Sequence, residues 1–413
     1  MKLKYFFISL LLIFCTKANA QYYYTIDGIK YECTVAPAQA KVMSKSPSKY
    51  MGTIKIPSKV LVYNTTCKVV AIKQYTFLDC VSLTSVSIPN SITSIGASAF
   101  ENCIGLTNIE IPNSVQIIEK STFEGCTGLT SVIIPNSIST IKDSAFRNCS
   151  ELKEIVIPES VESIGVGVFD GCTNLENIYF HSNPTIGTDA IPSTATCHLM
   201  LDDENATNFN VANANTYTDA SYTRIISEGK YGTIILPFAP DATSLENYAF
   251  YELVESGDGY MMFEEVATPI ANVPYIYTLR DGKENVAITG GEASISSNIV
   301  TPEVDGWQTV GSFSNQTIDT SNGNYYALSV TDNEVNHITK NLTVLPYRAY
   351  FKSVDASKSA LNIYISGTTG VEMISSNEID GFENGAIFDL CGRKVVEPTN
   401  GNIYIKNGKK IMF

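Results

Sequence analysis

The chain has 413 residues, of which 44% are hydrophobic, and its formal net charge is −14 at pH 7. At roughly 150 residues per domain, this length predicts two or three domains with ample apolar material for a core. Only 17% of the residues are charged and no basic run follows the N-terminus, which argues against nucleic acid and anionic membrane as partners, since both attract clustered Lys and Arg.

Residues 1–20 have the features of a secretory signal peptide. A basic head, MKLK, precedes the apolar run YFFISLLLIFC, and residues 18–20 (ANA) form a small-x-small cleavage site. We therefore predict export and a mature chain that starts at Gln21. The alternative of a lipoprotein signal ending at Cys15 is disfavoured, because Phe14 stands where a small residue is needed. The rest of the sequence has no run of about 18 apolar residues, so we expect no transmembrane helix.

Two strand-like segments precede the main part of the first half. GTIKIP, at residues 52–57, alternates apolar and polar positions and ends at a proline, which cannot donate a hydrogen bond to a sheet. VLVYNTTCKVV, at residues 60–70, has two apolar arms on either side of NTT. This pattern predicts a β-hairpin that turns at residues 64–66.

Residues 77–200 repeat with a period of 23. The repeated aromatic positions are Phe77, Phe100, Phe123, Phe146 and Phe169. Each is followed by a cysteine three residues later and by a leucine six residues later, and then by a strand-like I-x-I-P segment that decays in the last copy. A period in the twenties predicts a solenoid, in which stacked units bury the apolar faces that no unit can bury alone.

The repeated cysteines form one column of the predicted stack. They are Cys80, Cys103, Cys126, Cys149 and Cys172. Equivalent positions of stacked strands lie about 4.8 Å apart, so distance alone does not exclude disulfides. Five cysteines cannot pair evenly, however, and the paired CxxC spacing of a metal site is absent. We therefore predict buried free thiols, with disulfides and metal ligation as alternatives.

The repeat resembles a known family. The pattern C-x-x-L-x-x-I-x-I-P-x-x-V-x-x-I-x-x-x-A-F is similar to the BspA-like leucine-rich repeat, the 23-residue, Treponema-type class of bacterial surface proteins. In this sequence it is carried by Cys103, Leu106, Ile109, Ile111, Pro112, Val115, Ile118 and their 23-residue translates. The A before F is matched by Ala99 and Ala145, whereas Thr122 and Val168 depart from it.

The resemblance implies a leucine-rich-repeat solenoid with caps at both ends. Residues 21–76 would be the N-terminal cap with the first repeat, and residues 77–200 the repeats with a closing cap, of which ATCHLML is the last strand. Cys33 and Cys67 lie in the N-terminal cap, outside the cysteine column. In an exported chain they are the best candidates for a disulfide, and the sequence leaves open whether they pair.

The x positions of L-x-x-I-x-I-P point outward and are the predicted binding surface. The column before the last inward residue contains Ser87, Glu110, Ile133, Val156 and Tyr179, and its polar neighbours include Asn108, Lys153 and Glu154. An apolar strip with a polar rim is typical of a protein-contact surface. The alternative is an ordinary exposed surface, because scattered apolar residues are common there.

The second half of the chain has a different pattern. Short strand-like runs alternate with turn residues from Tyr231 onward, which predicts an antiparallel β-sandwich over residues 223–368, preceded by a linker at residues 201–222. YGTIILPF followed later by PYRAYF resembles a β-domain that often follows such repeats in proteins of gut and oral bacteria. That resemblance implies no activity.

The C-terminal tail, residues 369–413, resembles the sorting domain of type IX secretion. The resemblance is carried by DLCGRK at residues 389–394, GNIYI at 401–405 and GKK at 408–410. It implies transport across the outer membrane and tethering at the cell surface. The alternative is a short β-hairpin that caps the preceding domain.

Catalytic motifs are absent from the sequence. His181, His198 and His337 are far apart, and Ser46-x-x-Lys49 lacks the companion motifs of an acylating enzyme. Adjacent acidic residues such as Glu264 and Glu265 would face opposite sides of a strand. We predict no catalytic residue, no metal site and no cofactor.

The sequence as a whole predicts a mainly β, non-catalytic surface protein. Its solenoid would mediate adhesion to, or recognition of, a protein or glycan of the host, such as extracellular matrix or mucin, or of the bacterial envelope. The location would be the cell surface, at the outer-membrane exterior, or the extracellular medium. Two alternatives remain, a polysaccharide-handling or hydrolytic activity in the second domain and a structural role in the envelope.

Overall fold

A computed structural model describes most of the chain from residue 21 onward. The described ranges are 21–46, 48–62, 64–202, 213, 215–226, 230–257, 259–294, 299–329, 334–354, 361–367, 370–374, 387–388, 394–395, 403–406 and 409–412. The chain divides into two compact units, Met1–Met200 and Leu201–Phe413. Among the described residues, the helices are limited to α1 (Ala242–Asn247) and a 3-10 turn at Thr320–Asn322. The prediction of a mainly β chain is confirmed, and the predicted signal peptide lies outside the described residues.

The first unit opens with a cap whose strands form a small sheet. The first six strands are β1 (Tyr22–Ile26), β2 (Ile29–Val35), β3 (Ala38–Met43), β4 (Gly52–Lys55), β5 (Lys59–Val62) and β6 (Thr65–Ile72). Five of them pair in the order β1-β2-β3-β6-β5. Asp27 and Gly28 join β1 to β2 with φ angles of 50° and 76°. Positive φ at both turn residues matches the right-handed twist of a two-residue hairpin, which explains the Asp-Gly pair.

The predicted hairpin at residues 60–70 is confirmed. β5 and β6 pair antiparallel, with Val62 opposite Thr65. Asn64 takes the left-handed conformation, with a φ of 61°, that asparagine tolerates in a turn. The turn is tighter than predicted, because Thr65 already belongs to β6.

The repeats contribute two strands per turn of the solenoid. These strands are β7 (Leu83–Ser87), β8 (Ser94–Ile95), β9 (Asn108–Glu110), β10 (Ile117–Ile118), β11 (Ser131–Ile133), β12 (Thr140–Ile141), β13 (Glu154–Ile157), β14 (Ser163–Ile164), β15 (Asn177–Phe180), β16 (Thr185–Ile186) and β17 (Thr196–Asp202). The longer strands follow one another in one parallel row, in which β4 pairs with β7, β9 with β11, β13 with β15, and β15 with β17. The two-residue strands form a second parallel row.

The register of both rows follows the sequence period. Ile133 lies opposite Glu110, 23 positions earlier. In the last step of the second row, Ile164 lies opposite Ile186, because one residue is missing from the final copy. The closing strand predicted from ATCHLML is β17, and it pairs in parallel with β15.

The phenylalanine column is a continuous aromatic stack inside the solenoid. Neighbouring rings from Phe77 to Phe169 lie 4.9 to 5.8 Å apart between centroids, with interplanar angles of 8° to 12°. The cap supplies the first ring, since Tyr50 lies 4.8 Å from Phe77. All five phenylalanines are fully buried. The predicted stacking of Phe on Phe is therefore confirmed.

The cysteine column consists of buried free thiols, as predicted. The thiols of Cys103, Cys126 and Cys172 each donate to the backbone carbonyl of a phenylalanine in the preceding repeat, with a sulfur-to-oxygen distance of 3.1 Å. Burial raises the pKa of Cys126 to about 12. The eight cysteines of the described chain are all free, including Cys33 and Cys67, so neither the column nor the cap contains a disulfide in this structure.

The turns around each phenylalanine use left-handed backbone. The residues two before and two after the phenylalanine have positive φ in every repeat: Tyr75 and Asp79, Ser98 and Asn102, Ser121 and Gly125, Ser144 and Asn148, Gly167 and Gly171. Gly, Asn and Asp tolerate this conformation best, which explains most of these positions. Backbone hydrogen bonds also join the turns of neighbouring repeats. The N–H of Phe100 donates to the carbonyl of Thr122 at 2.9 Å, and the N–H of Asn102 donates to the carbonyl of Glu124 at 2.7 Å.

The second unit is built mainly from one large sheet. Its strands up to residue 374 are β18 (Thr216–Tyr217), β19 (Asp219–Thr223), β20 (Tyr231–Ile235), β21 (Tyr248–Gly257), β22 (Tyr260–Glu265), β23 (Pro274–Leu279), β24 (Ile288–Gly290), β25 (Ala293–Ser294), β26 (Glu303–Val304), β27 (Trp307–Ser312), β28 (Gln316–Ile318), β29 (Asn324–Leu328), β30 (Glu334–His337), β31 (Leu342–Val344), β32 (Arg348–Ser353), β33 (Leu361–Gly367) and β34 (Gly370–Ile374), the last of which lies at the start of the predicted tail. Eleven strands form this sheet, in the order β20-β23-β21-β22-β33-β30-β29-β32-β27-β26, with β34 beside β33.

The large sheet curls so that distant strands share one core. Phe263 of β22 and Phe351 of β32 are four strands apart in the sheet, yet their rings are 5.8 Å apart in an edge-on contact. Tyr251 and Trp307 belong to the same buried cluster. The predicted antiparallel β-sandwich is not confirmed, since most strands of residues 223–368 belong to one sheet, in which β22 and β33 pair in parallel.

Two segments outside the main predicted domains also contain strands. β18 and β19 fall within or beside the predicted linker at residues 201–222, and they pair with β25 and β24. Residues 203–212 of that linker lie outside the described residues. In the tail, β35 (Ile387–Phe388), β36 (Lys394–Val395), β37 (Ile403–Lys406) and β38 (Lys409–Met412) form an antiparallel sheet in the order β36-β35-β37-β38.

Candidate binding face

The parallel strands of the repeats place the predicted site residues on one outward surface. Asn108 and Glu110 lie on β9, and Ile133 lies at the end of β11. Glu154 and Val156 lie on β13. Because side chains alternate along a strand, the buried Ile109, Val132 and Ile155 point inward between these outward residues.

Five outward residues form a single row across the strands, which we call the outward row: Glu110, Ile133, Val156, Tyr179 and His198. Ile133 lies opposite Glu110, Val156 lies opposite Tyr179, and Tyr179 lies opposite His198. The side chains of Ile133 and Val156 are 65% and 48% exposed. This exposed apolar pair differs from the equivalent positions of the earlier repeats, which are the polar residues Ser87 and Glu110.

His198 is the member of the row that the sequence pattern did not reveal. Its imidazole stacks on Tyr179, with ring centroids 4.8 Å apart and planes 19° from parallel. Its Nε2 lies 3.0 Å from Oδ1 of Asn177. The offset from Tyr179 to His198 is shorter than the 23-residue period, so the periodic pattern did not align the two. The available signal was the closing strand itself, which adds one more rung in parallel to β15.

Polar and charged side chains border the outward row. Asn108, Lys153 and Glu154 are exposed, and Glu154 lies opposite Asn177 on the next strand. Within the described part of the chain, no ion pair involves Glu110, Lys153 or Glu154. Their charges are therefore available to a partner. The seven predicted site residues are thus brought onto one continuous face, of which Tyr179 is half-buried and the other six are exposed.

Lys49 and His337, two residues of the types that catalysis uses, make contacts within the fold. Nζ of Lys49 donates to the carbonyl of Leu78 at 2.5 Å and lies 3.6 Å from Oδ2 of Asp79. His337 packs against Tyr326, with ring centroids 4.9 Å apart. In the described ranges, no three His, Cys, Asp or Glu side chains are placed to hold a metal ion. The same ranges contain no helix long and apolar enough to cross a membrane.

The repeats match a known family. Residues 70–196 fit the BspA type leucine-rich repeat region, in six copies. This match covers the strands that carry most of the outward row. No curated protein gave a significant match to the chain.

Solved structures of bacterial leucine-rich repeat proteins are similar over part of the chain. A leucine-rich cell surface protein from Faecalibacterium prausnitzii is 27% identical over 44% of this chain and 55% of its own, with a TM-score of 0.37. A leucine-rich repeat protein from Bacteroides ovatus is 27% identical over 44% of this chain and 62% of its own, with a TM-score of 0.36. The matched region thus spans little more than half the length of either protein.

Proposed function

We propose that this chain is an exported, non-catalytic surface protein that recognises a partner through the outward row and its polar border. The observation that carries the proposal is the exposed apolar pair, Ile133 and Val156, on adjacent rungs beside the Tyr179–His198 stack. Burying this pair under a partner would remove apolar surface from water, which is the main driving force of association. The match of the repeats to a family of bacterial surface proteins supports the proposal.

The charges around the row favour a protein segment that carries apolar and basic side chains. Glu110 and Glu154 outnumber Lys153 beside the apolar pair, and the whole chain has a net charge of −14. A basic partner would be steered toward this face, whereas an acidic partner would be repelled. We propose host extracellular-matrix proteins as the ligand class that this charge favours, with mucin, another glycan or an envelope protein as the alternative ligands.

The remaining parts of the chain would deliver and display this face. Residues 1–20 would direct export, and residues 369–413 would act in sorting or anchoring at the outer-membrane exterior. Residues 201–222 and 223–368 would be a linker and a β-domain that connect the repeats to the tail. These assignments rest on sequence patterns and resemblance.

The test replaces the apolar members of the row. We expect the triple variant Ile133→Ser, Val156→Ser and Tyr179→Ser to bind immobilised mucin and a panel of matrix proteins at least about tenfold more weakly than the wild type, since apolar anchors dominate binding energy. The measurement is biolayer interferometry on full-length proteins whose circular dichroism spectra agree.

Val166 supplies a matched control. Its side chain is 51% exposed, a fraction similar to that of Val156. It lies on a turn before Phe169 and not on the outward row. We expect Val166→Ser to bind like the wild type. A triple variant that binds every ligand with unchanged affinity would contradict the proposal.

A further inference from the structure

Cys33 and Cys67 are the thiols that the fold of the cap brings toward each other. Cys33 lies opposite Ala40, and Ala40 lies opposite Val69, so the three share one face of the sheet. Cys67 is two positions before Val69 on β6 and therefore points to the same face. All four side chains are fully buried.

Curvature of the cap sheet shortens the path between the two cysteines. β2 and β6 are separated by β3 in the sheet order, yet they also contact each other directly. Sγ of Cys67 lies 3.6 Å from the carbonyl oxygen of Thr34, the residue that follows Cys33. Ala40, which lies opposite Cys33 on β3, has a side chain of one carbon, so the β3 side chain beside Cys33 on this face is small.

The two thiols have weaker hydrogen bonds than the thiols of the repeat column. Among the described residues, Cys33 has no hydrogen-bond partner for its sulfur, and the contacts of Cys67 with Thr34 and Thr65 are long, at 3.6 and 3.9 Å. The column thiol of Cys126, by contrast, donates to Phe100 O at 3.1 Å. Conversion to a disulfide would therefore cost the cap pair less than it would cost the column.

We propose that Cys33 and Cys67 are a disulfide-forming pair that staples β2 to β6 in the exported protein. The thiolate of one cysteine attacks the disulfide of an oxidant, such as oxidised glutathione or a thiol oxidase, breaks its S–S bond, releases one of its sulfurs as a thiol and forms a mixed disulfide with the other. The second thiolate then displaces the oxidant's other thiol. The two protein thiols lose two electrons and two protons, and the oxidant is reduced to two thiols.

The chemistry favours oxidation during folding. Burial, followed by the neighbouring Cys67, raises the pKa of Cys33 to about 11 in the folded cap, so its reactive thiolate is scarce once the sheet has closed. In the unfolded chain the thiol is exposed and has its ordinary pKa. The staple would therefore form as the cap closes, and the same burial would then shield it from reductants.

The test is a disulfide map of the full chain. The reduced, denatured protein is refolded in a mixture of oxidised and reduced glutathione, its remaining thiols are blocked with N-ethylmaleimide, and tryptic peptides are read by mass spectrometry. Trypsin releases Cys33 in YECTVAPAQAK and Cys67 in VLVYNTTCK, each with a single cysteine. We expect the two peptides to be joined, about 2 Da lighter than their sum, with the five column cysteines blocked.

Recovery of either peptide blocked, or joined to glutathione or to any other cysteine, would overturn the proposal. The wild-type map does not depend on a variant that folds poorly. As a second readout, reduction should lower the Tm of the oxidised protein by about 5 °C or more, and it should leave the Tm of the Cys33→Ser, Cys67→Ser variant unchanged. Refolding in vitro needs neither export nor a partner, so this result is independent of the proposed binding function.

Discussion

At the scale of single residues, the thiols of the cysteine column are buried and serve the packing of the solenoid. Each thiol is small enough for the crowded interior and has one weak donor, and in four of the five, Cys103, Cys126, Cys149 and Cys172, the carbonyl of a phenylalanine accepts it. A methyl group at the same place would leave that buried carbonyl without this partner, and a charged group could not be buried there. The repeated cysteine is therefore explained by packing and hydrogen bonding, without metal or redox chemistry.

The raised pKa of Cys126 predicts a loss of stability in alkali. Its pKa is about 12 in the fold and 9.0 as an ordinary thiol, so the neutral form is favoured by folding. As pH rises, the Cys126 thiol therefore loses its proton in the unfolded chain first. The stabilisation of the fold by the neutral thiol is complete below pH 9 and is lost between pH 9 and 12. We expect the free energy of unfolding to fall less steeply over this range in Cys126→Ala than in the wild type.

Urea unfolding at several pH values measures this difference. The other thiols and the buried tyrosines titrate in both proteins, so only the difference between the two slopes reports on Cys126. Identical slopes would show that the thiol of Cys126 has the same pKa in the folded and unfolded chain.

At the scale of structural elements, the turns beside the phenylalanines determine how closely the repeats stack. Gly125 has a φ of 71°, and a Cβ at this position would meet the side-chain oxygen of Asn102 in the preceding repeat. The equivalent positions are Asp79, Asn102, Asn148 and Gly171, which are the residue types that tolerate left-handed backbone. Backbone conformation therefore selects these residues more strongly than solvent exposure does.

Gly125→Ala tests the turn. We expect it to lower the free energy of unfolding by about 1 to 3 kcal/mol, because the new Cβ meets both an unfavourable backbone conformation and Asn102. Ile104, which is 47% exposed in the preceding turn, offers a control, and Ile104→Ala should change stability by less than about 0.5 kcal/mol. Chemical denaturation measures both. Equal, small effects would contradict the assigned role of the turn.

Apart from the cap hairpin at residues 60–70, the elements that could be predicted are those that repeat. The 23-residue period by itself aligns Phe100 with Phe123 and Glu110 with Ile133, since equivalent positions of a solenoid must stack. His198 could not be aligned in this way, because the last rung breaks the period. The large sheet of the second unit was not predictable either, because nothing local specifies that β22 pairs in parallel with β33, which lies about 100 residues later.

At the scale of the whole molecule, the two units differ in what they offer a partner. The repeat unit presents a parallel row of short strands with two exposed apolar side chains and free charges. The second unit buries its large aromatic residues, such as Trp307 and Tyr326, in the core of the curled sheet. This difference in aromatic burial supports the proposal that the repeats carry recognition and that the second unit supports them.

Hydroxyl-radical footprinting of the full-length protein, with and without the mucin or matrix protein that binds it, tests this assignment most directly. Tyr179 and His198 react readily with radicals and belong to the outward row, whereas Tyr23 is 57% exposed in the cap and serves as the internal control. We expect the bound partner to lower labelling of Tyr179 and His198 severalfold and to leave Tyr23 unchanged. Unchanged labelling of Tyr179 and His198, with protection confined to the second unit, would contradict the assignment.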